Sequence, residues 1–219
     1  VPGNPFKMGE AALAVDNVGT VALVDAAKAA GVRKVVLITS ILTDAGAWGQ
    51  LDSAGYKVTN AFGNVLEEKL VAEKYLRKSG LDYTIVRPGV MGVETELAPD
   101  SLALADDGGD LRVSAIPHAA VADLCVEVLG YPNAARATLC AMTVDQGEGA
   151  ASYADLLPAV RPDRRAFPGD ELRRESFRAV RVGGAALAVF FGATAWGALS
   201  AARALVRVAT PLVRGALGV

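Results

Sequence analysis

Lys69 and Ser40 are the residues whose type and position could do chemistry. Lys69 shares a helical stripe with Val65, Ala72 and Leu76, at spacings of four, three and four. Lys74 and Lys78 fall off that stripe and read as solvated. A lysine on an apolar stripe either snorkels to water or carries a polar partner that offsets the cost of burying its charge. Ser40 closes the run Val35-Val36-Leu37-Ile38-Thr39. A hydroxyl there is either a turn or cap residue or a group facing a ligand at the carboxyl end of a strand. Cys125 and Cys140 have no second Cys or His at ligand spacing, so no metal site is inferred. They read as small buried apolar residues.

The elements that must position these groups follow from the apolar pattern. Residues 10–30 read as a helix, with Val21, Val24 and Ala27 recurring and Gly31 as the C-cap. Val35–Ile38 is a short β-branched run, as in a strand buried on both faces. The polar, Gly-rich segment 42–60 reads as a functional loop or a lid. A second amphipathic helix covers 61–79 and ends at Gly80. Tyr83-Thr84-Ile85-Val86 is another buried strand, stopped by Arg87-Pro88-Gly89. Helix, strand, helix, strand at this spacing predicts parallel strands joined by crossovers. Further on, Leu102–Leu104 and Leu111–Ser114 flank Asp106-Asp107-Gly108-Gly109 and read as a hairpin. Residues 117–130 read as a helix with Pro117 near its first position. Ala137–Val144 reads as a last strand, and 145–160 as a Gly/Ala/Ser-rich linker.

Composition bounds the class. The chain has 219 residues, a net charge of −2, one His and a hydrophobic fraction of 52%, with a mean hydropathy of +0.32. Nothing in that balance points to nucleic acid. The apolar excess is concentrated near the C-terminus. Seven arginines lie between Arg161 and Arg181, and residues 182–202 then carry no charge. A 21-residue helix there would be about 31 Å long, the thickness of a bilayer core. The segment is therefore expected to be a transmembrane helix; a buried core helix is the alternative. Gly184, Ala188 and Gly192, repeating every four residues, would admit a partner helix; simple Ala/Gly bias is the alternative source of the repeat. Residues 203–219 read as a basic amphipathic tail.

Several stretches, taken in order, resemble the atypical short-chain dehydrogenase/reductase superfamily. They are Val15-Asp16-Asn17-Val18-Gly19-Thr20 with Val24-Asp25-Ala26-Ala27, then Val35–Ser40, then Lys69-Leu70-Val71-Ala72-Glu73, and last Ser79-Gly80-Leu81-Asp82 running into Tyr83–Gly89. The match covers roughly residues 10–145, and 40–50 and 60–69 more closely resemble plastid and cyanobacterial NAD(P)-binding members. The resemblance implies a Rossmann-like parallel sheet with flanking helices over 1–145. A linker with an Arg-rich juxtamembrane segment would cover 146–181, followed by the membrane helix 182–202 and the tail 203–219. It implies NADP or NAD as cofactor, held by Thr39, Ser40, Lys69, Pro88, Gly89 and Val90. Ser40 would stand near the reacting carbon, Lys69 at the nicotinamide ribose, and Asn17 where the family has a helix asparagine.

Two departures set the functional expectation. The family's catalytic tyrosine stands four residues before the lysine, and Val65 occupies that position; Tyr56 and Tyr75 are off the spacing. No Gly-rich phosphate loop occurs, so the N-terminal strands of the fold are expected to be absent from this chain and present in a longer protein. The expected role is a non-catalytic accessory subunit or assembly factor of a chloroplast photosynthetic complex. It would sit in the thylakoid membrane with its Rossmann part on the stromal side, its partners being the membrane and a large complex met through 182–202. The alternatives are a membrane-tethered NAD(P)H-dependent reductase, with Ser40 and Lys69 as catalytic candidates, and an accessory subunit of a mitochondrial inner-membrane respiratory complex.

Overall fold

The structure, a computed structural model, describes residues 8–61, 63–91, 97–106 and 114–163. A long N-terminal helix consists of α1 (Met8–Ala12), a π-helical segment (Leu13–Gly19) and α2 (Thr20–Ala29). It ends where expected. Gly31 adopts φ +68°, and Val32 N–H donates to Ala27 O at 2.9 Å, a left-handed cap that only a residue without Cβ takes at little cost. Then come β1 (Lys34–Ile38), α3 (Ala54–Asn60), α4 (Val65–Lys78) and β2 (Asp82–Pro88). The remainder is β3 (Leu102–Asp106), α5 (His118–Glu127), β4 (Ala137–Thr143) and α6 (Tyr153–Leu156).

The strands form one sheet in the order β1-β2-β4-β3. β1 runs parallel to β2, with Lys34 opposite Asp82 and Ile38 opposite Val86. β2 runs parallel to β4, with Thr84 opposite Ala137. The expected parallel sheet is thus present, but β3 lies antiparallel on β4, so the sheet is mixed. Alternation along β2 explains its continuous apolar run. Tyr83 and Ile85 pack with Val24 of α2 and Leu76 of α4 on one face. Val86 turns to the other face, where Leu139 of β4, Leu124 of α5 and Leu157 form the larger core. Helices therefore cover both faces, the arrangement a parallel sheet requires. β1 is an edge strand, and its Ile38 is 43% exposed.

Three expectations need correction. The transmembrane helix over 182–202 does not stand as part of the fold class. No helix among the described residues is long and apolar enough to cross a membrane, and 182–202, like the tail 203–219, lie outside them. Second, the segment 42–60 is structured. It holds a 3-10 turn at Ala45–Trp48 and α3, capped by Ser53, whose Oγ accepts from Tyr56 N–H at 3.2 Å. The strand from Leu102 pairs antiparallel with β4; the turn and second strand of the expected hairpin fall on residues 107–113, which lie outside the described set.

The third correction concerns 145–160, expected as a linker. Ser152 and Asp155 form a capping box that starts α6, and Tyr153, Leu157 and Val160 enter the main core. Its Gly, Ala and Ser residues masked three well-spaced anchors. Cys140 is fully buried and Cys125 half-buried, both against apolar neighbours, as expected. Leu157→Ala should cost about 2–5 kcal/mol in urea denaturation, as for a core leucine. A change within about 0.5 kcal/mol, the range of an exposed linker residue, would show that the segment does not pack.

Candidate functional site

The carboxyl ends of the parallel strands form a common rim. Thr39 N–H donates to Val86 O at 2.8 Å, Ile41 N–H to Pro88 O at 2.9 Å, and Gly89 N–H to Ala141 O at 2.8 Å. Thr39–Ser40, Pro88–Val90 and the end of β4 therefore lie side by side, where open α/β sheets bind ligands. Helix α4 runs back from this rim between β1 and β2. Thr39 Oγ1 donates to Glu73 Oε1 at 2.6 Å, which fixes the height of the helix on the sheet. Lys69, one turn nearer the helix start, then stands about 6 Å further out along the axis.

The expected site residues divide into two groups. Thr39 is buried, and its hydroxyl is used by Glu73. Pro88 and Gly89 are buried too. A Cβ on Gly89 would lie 2.2 Å from Ser114 O, so the glycine is demanded by backbone contact with Ser114, to which Val90 N–H donates at 2.9 Å. These residues build the rim through their backbone. Ser40, Lys69 and Val90 keep accessible surface. Ser40 is half-buried, and its Oγ accepts from Leu42 N–H at 3.3 Å, a turn contact that leaves its O–H able to donate. Val90 is 57% exposed. Lys69 Nζ lies 2.6 Å from Asp16 Oδ1, with side-chain exposures of 25% and 21%. A lysine ammonium, a hydroxyl and an aliphatic side chain are thus the groups that remain accessible.

Sequence reasoning missed the centre of this region. Glu73 and Arg87 are both fully buried and form a bidentate pair, with Arg87 Nε at 3.0 Å from Oε1 and Nη2 at 2.6 Å from Oε2. Arg77 Nη2 reaches Glu73 Oε2 at 3.0 Å and Thr138 Oγ1 at 2.9 Å. Asp163 closes the cluster, accepting from Thr138 N–H at 2.9 Å and from Tyr83 OH at 3.0 Å. Burial alone would push the Glu73 carboxyl up. The charges and hydrogen bonds of Arg87, with Arg77 and Thr39, outweigh it and hold the group below the ordinary glutamate value. The signal was an i,i+4 Glu–Arg pair on a helix and a charge at the end of an apolar strand.

Position 65 is used for packing: Val65 lies against Ala45, Tyr56 and Leu66. Tyr56 OH is bonded to Glu67 and accepts from Asn60 Nδ2 at 3.1 Å. Burial first, and Glu67 second, push its phenol well above the usual range. Tyr75 OH donates to Asp25 Oδ1 at 2.6 Å. Lys69 is paired with Asp16 rather than with either tyrosine. Asn17 Nδ2 donates to Glu68 Oε2 at 2.7 Å.

A layered α/β domain with a ligand crevice at the parallel strand ends is a nucleotide-binding class of fold. Residues 6–132 match the NAD(P)H-binding family model, and the chain belongs to that family. It is 44% identical over 115 residues to an uncharacterized chloroplastic protein of Arabidopsis thaliana, a match covering 52% of this chain and 40% of that one. It is 35% identical over 121 residues to sanguinarine reductase of Eschscholzia californica, covering 52% and 40%. The matches thus span about 40% of the length of these curated relatives. Among solved structures, an oxidoreductase from Lactococcus lactis superposes with a TM-score of 0.55 at 24% identity, covering 72% of this chain and 66% of that chain, a likeness of fold. The Rossmann-like resemblance read from the sequence therefore holds, with NAD(P) as the cofactor class of the domain.

Arg87→Met leaves a buried carboxylate without its main charge partner and should cost about 3–5 kcal/mol. Because the Glu73 pKa is depressed in the folded state, the pair's contribution is present above the ordinary value of 4.5 and is lost as pH falls below it. The stability gap between parent and variant, followed by thermal melts across pH, should therefore narrow on acidification. A gap that stays constant or widens would rule out an ionised Glu73.

Proposed function

We propose that this chain provides the nicotinamide-side part of an NAD(P)H-binding site in a plastid protein, and that dinucleotide binding rather than tyrosine-driven proton transfer is its function. One observation carries the reading. At the strand-end rim a lysine, Lys69, is held by an acid, Asp16, while the position of the family's tyrosine is a packed valine, Val65. In this reading Lys69 and Ser40 meet the nicotinamide ribose, Val90 lies against the ring, and Thr39, Pro88 and Gly89 form the floor through their backbone. The bound cofactor supplies a hydride-carrying ring. The chain's residues hold and orient it, and Ile41, buried beside the rim, helps keep water from below. The plastid location is supported by the name of the Arabidopsis relative. Membrane anchoring does not enter the proposal.

A second reading is favoured by one observation, the 35% identity to a protein named as a reductase. In it the same site delivers hydride to an electron-poor acceptor that takes its proton from solvent. Turnover with a quinone, followed as NADPH oxidation in the full-length protein, separates the two.

For either reading, isothermal titration of the full-length protein should show NADPH or NADH binding. Lys69→Ala should weaken it about tenfold or more, the loss of one charged contact. Equal affinity in the variant would remove Lys69 from the site. Steady NADPH oxidation with Val65 in place would decide for the reductase.

A further inference from the structure

We propose that Asp16 is a positioning residue for the dinucleotide: its carboxylate holds the Lys69 ammonium at the rim, so that Lys69 meets the nicotinamide ribose without leaving its ion pair. This rests on the reading of Lys69 given above. Asp16 lies in a distorted part of the N-terminal helix. Its Leu13–Gly19 segment is π-helical, a rare conformation that recurs at functional sites. Local residues accommodate the wide turn. Thr20 Oγ1 donates to Val15 O at 3.3 Å, five residues back. At Gly19 a Cβ would stand 2.9 Å from Ala14 O, too close for an ordinary side chain.

The π segment packs against α4. Asp16 reaches Lys69 at 2.6 Å, and Asn17 reaches Glu68 at 2.7 Å. The π segment therefore presents two polar groups to two successive residues of α4, at the end of that helix nearest the rim.

Asp16 and Lys69 are each mostly shielded, with 21% and 25% of their side chains exposed. Their attraction is screened less than that of a surface pair. Without Asp16 the lysine would swing its head to water along its flexible stem. With it, the stem is ordered before ligand arrives, and the rotamer entropy is lost on folding rather than on binding. An ammonium has more donors than the one Asp16 takes, so the pair persists while the ribose hydroxyls bind.

The test uses the full-length protein, its Asp16→Asn and Asp16→Ala variants, and two probes. NADPH carries the nicotinamide ribose. ADP shares the adenosine end and lacks it. Asp16→Ala should weaken NADPH about tenfold, a loss comparable to that of Lys69→Ala, and leave ADP affinity and the melting temperature nearly unchanged. Asp16→Asn, which keeps shape and one acceptor, should move NADPH affinity in the same direction. The double variant with Lys69→Ala should bind no worse than Lys69→Ala alone. NADPH affinity unchanged in both variants overturns the proposal while leaving the binding function intact. Equal weakening of NADPH and ADP with a lower melting temperature also overturns it, by making Asp16 structural. Failure of the unsubstituted protein to bind either nicotinamide cofactor overturns this proposal and the binding function together.

Discussion

The buried pair between Glu73 of α4 and Arg87 of β2 is the constraint on which the arrangement of the rim depends. Removing two charges from water costs several kcal/mol per ion, and only good geometry with further hydrogen bonds recovers it. Both are present. The fork of Arg87 meets both carboxylate oxygens, and Thr39 and Arg77 add a third and a fourth donor. A bidentate pair tolerates little rotation or sliding. It therefore fixes α4 against the ends of β1 and β2 in a way that apolar packing, which is non-directional, would not. The register of Lys69 over the rim follows from this lock.

The lock also explains the division of labour among the residues near the strand ends. Below it the sheet is sealed by Val24, Leu76, Tyr83 and Ile85 on one face and by Val86, Leu139, Leu124 and Leu157 on the other. Side chains at the level of the lock, such as Thr39, are drawn into the network and cannot serve a ligand. Side chains one step further out, at Ser40, Lys69 and Val90, keep surface. The boundary between structure and site is thus a matter of height along the strands. Asp163 extends the network to the far end of the fold. By bonding Thr138, Tyr83 and Arg77 it ties the chain after α6 to β2, β4 and α4.

Much of the frame was legible because each element carried a local signature. The β-branched run at Val35–Ile38 and the apolar Tyr83–Val86 announced buried strands, and Gly31 and Gly80 marked helix ends with positive φ. What escaped was encoded at long range or in ambiguous composition. Asp16 and Lys69 are 53 residues apart in sequence, and nothing local pairs them. Leu157 and Val160 sat in a Gly/Ala/Ser-rich stretch that hid their burial, and Ser53, a legible N-cap, was lost among glycines. Among the candidate site residues, Lys69 and Ser40 stood out by type and place, whereas Glu73 needed Arg87 beside it to acquire meaning.

The chemistry of Lys69 changes with its partner. Beside a phenol, an ammonium stabilises the phenolate and so helps a tyrosine give up its proton. Here the residue one turn back is Val65, which has nothing to ionise, and the charge of Lys69 is answered by Asp16. The acid neutralises the field that would assist proton transfer but leaves the ammonium's remaining donors in place. Hydrogen bonding to hydroxyls survives that neutralisation; acid–base assistance does not. The same ion pair that orders Lys69 is thus the physical case for reading this site as one that holds a dinucleotide, with proton delivery left to solvent or to the acceptor itself.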